Sequence, residues 1–194
     1  MAPSSPPLTA ERILEATEEV LRRHGPAKAT VVDVARALGV SHGSVYRHFR
    51  TKAALRQAVT RRWLDPTERL LAGIVARGGD PEARLREWFV TLFEVKRDKA
   101  GADPELFATY MELTDADDAV SAHLAELNGQ LTDVVRAGVE AGVFVTGDPA
   151  GTAHVLFLAT GAFHDPGHVR EWANPGVRAE LDAVLDLLLR GLRA

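Results

Sequence analysis

Six hydrogen-bonding or cationic side chains, His42, Ser44, Tyr46, Arg47, His48 and Lys52, fall within eleven consecutive residues. Such groups suit recognition. An arginine can pair a guanine edge bidentately, and the others can bond phosphate oxygens or base edges. To act together they must leave one face of a short helix, and Val45 and Phe49, four residues apart, can anchor its other face. Gly43 is costly inside a helix but allows the backbone to approach a phosphate closely. Lys52 opens the following helix, where an N-terminus and a lysine together clamp a phosphate.

The element before this helix is legible too. Val31, Val34, Ala35 and Leu38 recur at i, i+3, i+4 and i+7, one apolar helical stripe. Thr30 caps its start, Gly39 its end, and Ser41 caps the next helix. Two short helices joined by a tight turn make a helix-turn-helix, whose second helix lies in a DNA major groove. The candidate DNA contacts are therefore Thr30, Ser41, His42, Gly43, Ser44, Tyr46, Arg47, His48 and Lys52. Two have competing readings: Tyr46 can pack on the first helix, and His48 can serve as a cation at a helix C-terminus.

The run from about Ala10 to Val59 resembles the DNA-binding domain of the TetR family of bacterial one-component regulators. The likeness rests on a long first helix, on T-x-x-D-V-A-x-x-L-G-V-S at Thr30–Ser41, on G-S-V-Y-R-H-F at Gly43–Phe49, and on Lys52 with Leu55. It implies a homodimer, a repressor more often than an activator, and a small-molecule pocket in the C-terminal domain.

Charge divides the chain independently. Residues 1–62 carry 11 Lys/Arg against 5 Asp/Glu, whereas residues 63–194 carry 12 against 22. A polyanion is drawn to the first part and repelled by the second. The 194 residues suffice for one large or two small domains, and a 46% hydrophobic content provides for a core. There is no cysteine, hence no disulfide framework or thiolate metal site. No apolar run reaches a membrane span, and MAPSSPPL at the start lacks the features of a signal peptide. A soluble, cytoplasmic chain is expected, with residues 1–8 a disordered tail, 9–55 the DNA-binding domain and 56–194 a ligand-binding and dimerisation domain.

Asx-Pro pairs punctuate the second part at Asp65, Asp80, Asp103, Asp148, Asp165 and Asn174. An Asx cap followed by proline starts a helix well. Helices are expected near 9–24, 66–77 (or a kinked continuation of a helix from 52), 81–99, 104–114, 117–141, 149–163 and 176–193, with a short turn of helix at 166–172. The fold class is all-α: an N-terminal three-helix helix-turn-helix domain and a C-terminal helical bundle.

The segment Val155–Phe163 is apolar nearly all round and should be buried on every side. The last helix carries an apolar stripe wider than one neighbour requires. Val155, Leu158, Ala159, Ala162, Leu181, Val184, Leu185 and Leu188 are the expected dimer contacts, against the alternative that both helices only core the protomer. Trp88, Phe89, Phe93, Phe107, Tyr110, Met111, His123, Phe163 and His164 are candidate pocket residues or core. An aromatic pocket with few buried bases suggests an apolar or aromatic effector. His164 and His168 tempt a metal reading, but Pro166 breaks the helical spacing between them and Asp165 is needed as a cap, so no metal and no cofactor are expected. The G-x-S-x-G, H-E-x-x-H, P-loop and G-x-G-x-x-G patterns are absent. The chain therefore reads as a ligand-responsive regulator with no catalytic residues. The alternative is a helical small-molecule-binding protein or a hydrolase with no role on DNA.

Overall fold

The computed structural model describes residues 7–114 and 118–193, and within these the chain is helical. Among the described residues the α-helices are α1 (Ala10–Lys28), α2 (Val31–Leu38), α3 (His42–His48), α4 (Lys52–Ala76), α5 (Pro81–Ala102), α6 (Pro104–Thr114), α7 (Asp118–Glu140), α8 (Pro149–Ala159) and α9 (Val177–Leu192). Turns of 3-10 helix follow α8 at Gly161–Phe163 and Pro166–His168. Most of the expected disordered tail, residues 1–6, lies outside the described residues, as does the expected helix start at 117.

Local chemistry sets most boundaries. Thr9 accepts from the backbone N–H of Arg12. At Gly25 (φ 69°) the helical path breaks, so Pro26–Lys28 form a separate last turn. Asp80, Asp103 and Asp148 accept backbone N–H groups of Ala83, Leu106 and Gly151 at 2.9–3.0 Å, and α5, α6 and α8 begin at the following prolines. Two Asx-Pro pairs behave otherwise. Asp65-Pro66 lies inside the continuous α4, so the continuation reading holds there. Asn174-Pro175 forms a turn, and α9 starts only after Gly176 at φ 96°. The expected single helix over 149–163 is shorter, because Thr160 returns its hydroxyl to the carbonyls of Leu156 and Phe157 and the chain tightens into a 3-10 turn.

The described residues form two compact units, one comprising residues up to Leu64 with Asp103–Val120, the other Asp65–Ala102 with residues from Ser121 onward. In the first, α1, α2, α3, the start of α4 and α6 enclose Ile13, Val20, Val34, Val45, Val59, Tyr110 and Leu113. The expected division after residue 55 falls within α4. The unit extends further because Tyr110 of α6 stacks on Trp63 (4.4 Å between centroids, 9° between planes) and bonds Glu18 of α1. In the second, Trp88, Phe89, Leu92, Phe93, Leu127, Leu131, Trp172 and Leu181 are buried. Residues 143–145 make one isolated bridge, Phe144 to Arg193, with the Val145 N–H donating to the Leu192 carbonyl.

Candidate nucleic-acid interface

Three caps hold the helix-turn-helix. The Thr30 hydroxyl accepts from the Asp33 N–H, and the Asp33 carboxylate accepts from the Thr30 N–H. The hydroxyl hydrogen bond from Thr30 holds the Asp33 carboxyl below its usual pKa, as does the nearby Arg36 guanidinium. Gly39 turns the chain at φ 67°, where a side chain would be strained. Ser41 accepts from the Ser44 N–H at 3.2 Å. Val45, fully buried, seats α3 on the core, and Phe49 packs at its margin.

The opposite face of α3 is open. His42, Gly43, Tyr46, Arg47 and His48 are exposed, and Ser44 is half-buried. A chain of contacts aligns this face. The Ser41 and Ser44 hydroxyls lie 2.9 Å apart, and Arg47 Nη2 donates to Ser44 Oγ at 3.1 Å. The rings of His42 and Tyr46 meet edge to face at 6.4 Å. Tyr46 remains 39% exposed, so packing on α1 does not consume it. Thr51 accepts from the Ala54 N–H and caps α4, whose first residue, Lys52, is exposed. Thr30 and Ser41 use their hydroxyls as caps, which makes them positioning groups for this face. Arg50, exposed just before α4, was not among the expected contacts, although a cation beside a helix N-terminus is legible in sequence.

The expected pocket residues do not all belong to one unit. Phe107, Tyr110 and Met111 pack within the first unit, where burial and Glu18 raise the Tyr110 phenol above its usual pKa. Trp88, Phe89, Phe93, His123, Phe163 and His164 are buried in the second. There Trp88 Nε1 donates to Gln130 Oε1, and Phe93 meets Phe163 edge to face. His164 Nε2 lies 3.0 Å from the Phe157 carbonyl, and burial, with Lys96 nearby, lowers its pKa to about 4. Lys96 and Lys99 of α5 are half-buried in this unit, and restricted access to water lowers the pKa of both to about 8.

The expected dimer contacts divide as well. Leu181 and Leu185 are core of the protomer itself, because they line the inner stripe of α9. Val155 (59% exposed), Leu158 (64%) and Leu187 (65%) stand out from α8 and α9, so α8 is not buried on every side within one protomer. Ala159 and Ala162 are exposed beside them, while Val184 and Leu188 are half-buried. A groove lined by Val155, Leu156, Leu187, Leu188 and Leu192 runs along this face. Among the described residues no helix is long and apolar enough to cross a membrane.

Residues 13–59 match the family of bacterial regulatory proteins, tetR family, and residues 81–185 match the tetracyclin repressor-like C-terminal domain. An HTH-type transcriptional regulator of Mycobacterium tuberculosis H37Rv is 34% identical over 101 residues, 43% of this chain and 50% of that protein, so the chain matches half the length of this relative. The HTH-type transcriptional repressor KstR2 of Rhodococcus jostii is 27% identical over 189 residues, 93% of this chain and 89% of the relative. The transcriptional regulator FadR from Bacillus subtilis, solved in complex with stearoyl-CoA, superposes with a TM-score of 0.71 at 18% identity, covering 94% of this chain and 99% of that one. At that identity the likeness speaks for the fold.

Proposed function

The chain belongs to the TetR family of DNA-binding transcriptional regulators, and on that premise we propose a ligand-released repressor that binds a palindromic operator as a homodimer. The observation that carries this is α3: its inner face is fixed by Val45, and its outer face presents an aligned row of polar groups ending in Arg47. Arg47 and Tyr46 contact base edges or phosphates. His42 and Ser44 sit at the helix start, where base edges come within reach. His48 and Lys52 hold phosphates, and Gly43 lets the backbone approach. The relative KstR2 bears the name of a repressor, which supports that sign of regulation.

One seven-residue helix reads few base pairs, so affinity and length of site both call for two. The exposed apolar face of α8 and α9 supplies the pairing surface, and Val155, Leu158 and Leu187 exclude water across a two-fold axis. The effector binds among the aromatic residues of the second unit. Its contacts there repack α5 and α7 and displace α4, which contributes residues to both units. To move the population from mostly bound to mostly released, the ligand must prefer the released form by about 10⁴-fold. No catalytic role is assigned, and the working compartment is the cytoplasm, where the DNA is.

Selection from a pool of random duplexes tests the reading. Recovery of an inverted repeat, protected from cleavage in two patches one helical turn apart, supports it. A single unpaired half-site contradicts the dimer, and recovery without sequence preference contradicts the regulator.

A further inference from the structure

The first unit holds a pocket of its own. Leu21 of α1, Val34 of α2, Leu55 and Val59 of α4 and Leu113 of α6 line it, and all five are buried. Thr30, Lys52 and Arg56 also line it and are exposed, so the mouth lies on their side. Lys52 and Arg56 stand four residues apart on α4, a spacing that puts both on one face of the helix.

The polar groups of the lining differ in what they have left to offer. Thr17 donates its hydroxyl to the Ile13 carbonyl at 2.7 Å. The Thr30 hydroxyl donates to the Asp33 carboxylate and accepts from the Asp33 N–H. Arg56 Nη2 donates to the Leu113 carbonyl at 2.8 Å, which holds the guanidinium beside the pocket wall and leaves further N–H donors. The side-chain hydrogen bonding left at the mouth is therefore that of two cations. The space within is about 50 Å³. One water needs roughly 10–15 Å³ of such space and about two to four polar partners. Leucine and valine walls supply none, so water is a poor occupant, whereas about three or four carbon atoms fill the volume. An apolar tail of that size, ending in one negative group, matches both walls and mouth. A neutral head forgoes the charge-assisted bonds.

We propose that this pocket is a ligand site within the DNA-binding unit and that its ligand is a short branched-chain carboxylate. The alkyl tail lies among Leu21, Val34, Leu55 and Val59, and the carboxylate bonds Lys52 and Arg56. The site is separate from the effector site proposed for the second unit. Its consequence for DNA rests on the reading above, in which Lys52 holds a phosphate: a carboxylate on Lys52 occupies that cation, so ligand and DNA compete.

Isovalerate is the probe, with isovaleramide as the neutral isostere and acetate as the head without the tail. Each is titrated into the full-length protein at constant ionic strength and followed by backbone amide NMR shifts. Isovalerate should give saturable shifts at Val34, Leu55 and Val59 and bind about tenfold tighter than either control. Lys52→Met should weaken isovalerate severalfold and leave the amide unchanged, and Lys52→Arg should restore the acid, with circular dichroism checking each fold. Shifts that do not saturate, equal binding of acid and amide, an equal response to acetate, or a preference untouched by Lys52→Met overturns the site. Fluorescence anisotropy on the selected duplex separates the two claims. If isovalerate fills the pocket yet affects duplex binding no more than chloride does, the site stands and Lys52 leaves the phosphate contacts. Sequence-specific duplex binding by a protein whose pocket stays unfilled rejects this inference alone.

Discussion

Arg47 leaves the outer face of α3 with its guanidinium tethered to Ser44, and Ser44 in turn meets Ser41, the residue that caps the helix. Its reach is thus partly fixed, which on the proposed reading lowers the ordering cost of a DNA contact. Arg47→Ala should weaken binding to the selected duplex by about 1–3 kcal/mol and relax preference at one base position, with an unchanged circular dichroism spectrum. Fluorescence anisotropy on labelled duplexes measures this, and unchanged affinity would remove Arg47 from the interface. Gly43 offers a complementary test. A Cβ there would meet only Ser41 Oγ, at an ordinary 3.8 Å. Gly43→Ala should therefore raise stability by about 0.5–1 kcal/mol while lowering DNA affinity. A variant that binds DNA as well as the parent would show that close backbone approach is not used. In the second unit, the folded His164 has a pKa of about 4, below the 6.5 of an unburied imidazole. The unfolded chain then binds more protons between these values. The stabilisation is complete above pH 6.5 and is lost as pH falls toward 4, by up to roughly 3 kcal/mol. Urea unfolding at pH 7 and pH 4.5 should show this loss, and His164→Gln should reduce it.

At the scale of elements, what could be read from sequence was what local chemistry decides. Thr30, Gly39 and Ser41 set α2 and α3 by capping and by one left-handed turn, which depend on nearby residues alone. The same holds for the starts of α5, α6 and α8. Asp65-Pro66 and Asn174-Pro175 carry the same local signal yet start no helix, because tertiary packing decides whether a proline bends a helix, starts one or turns the chain. The grouping of α6 with the first unit was likewise hidden, since stacking of Tyr110 on Trp63 leaves no periodic trace. Two contacts between elements could not be foreseen for the same reason: His123 with Glu68, and Gly138 with Phe144. The second is testable. A Cβ at Gly138 would collide with the Phe144 ring, so Gly138→Ala should cost about 1–3 kcal/mol of stability despite alanine's better helix propensity. A rise in melting temperature would refute that packing.

For the whole molecule, charge and apolar surface divide the labour. Residues 1–62 carry an excess of basic side chains, and residues 63–194 an excess of acidic ones, so the chain as a whole meets DNA through its first part. Val155, Leu158 and Leu187 of α8 and α9 stand exposed, and on the proposed reading pairing of two copies covers them. Leu158→Glu together with Leu187→Glu should convert a dimer to monomers in sedimentation and remove binding to an inverted repeat, while leaving weak, salt-sensitive binding to any duplex. Dimers that persist in this variant would place the interface elsewhere.

The most direct test sets wild type beside Arg47→Ala, each immobilised and exposed to fragments of the host genome at moderate salt, with the retained DNA sequenced. Enrichment of a palindromic sequence by wild type, and its loss in the variant, is the predicted result. The same sequences retained by both proteins, or no sequence enriched by wild type even after unfolding and refolding to remove bound ligand, would contradict the assignment of α3 as the reader of DNA.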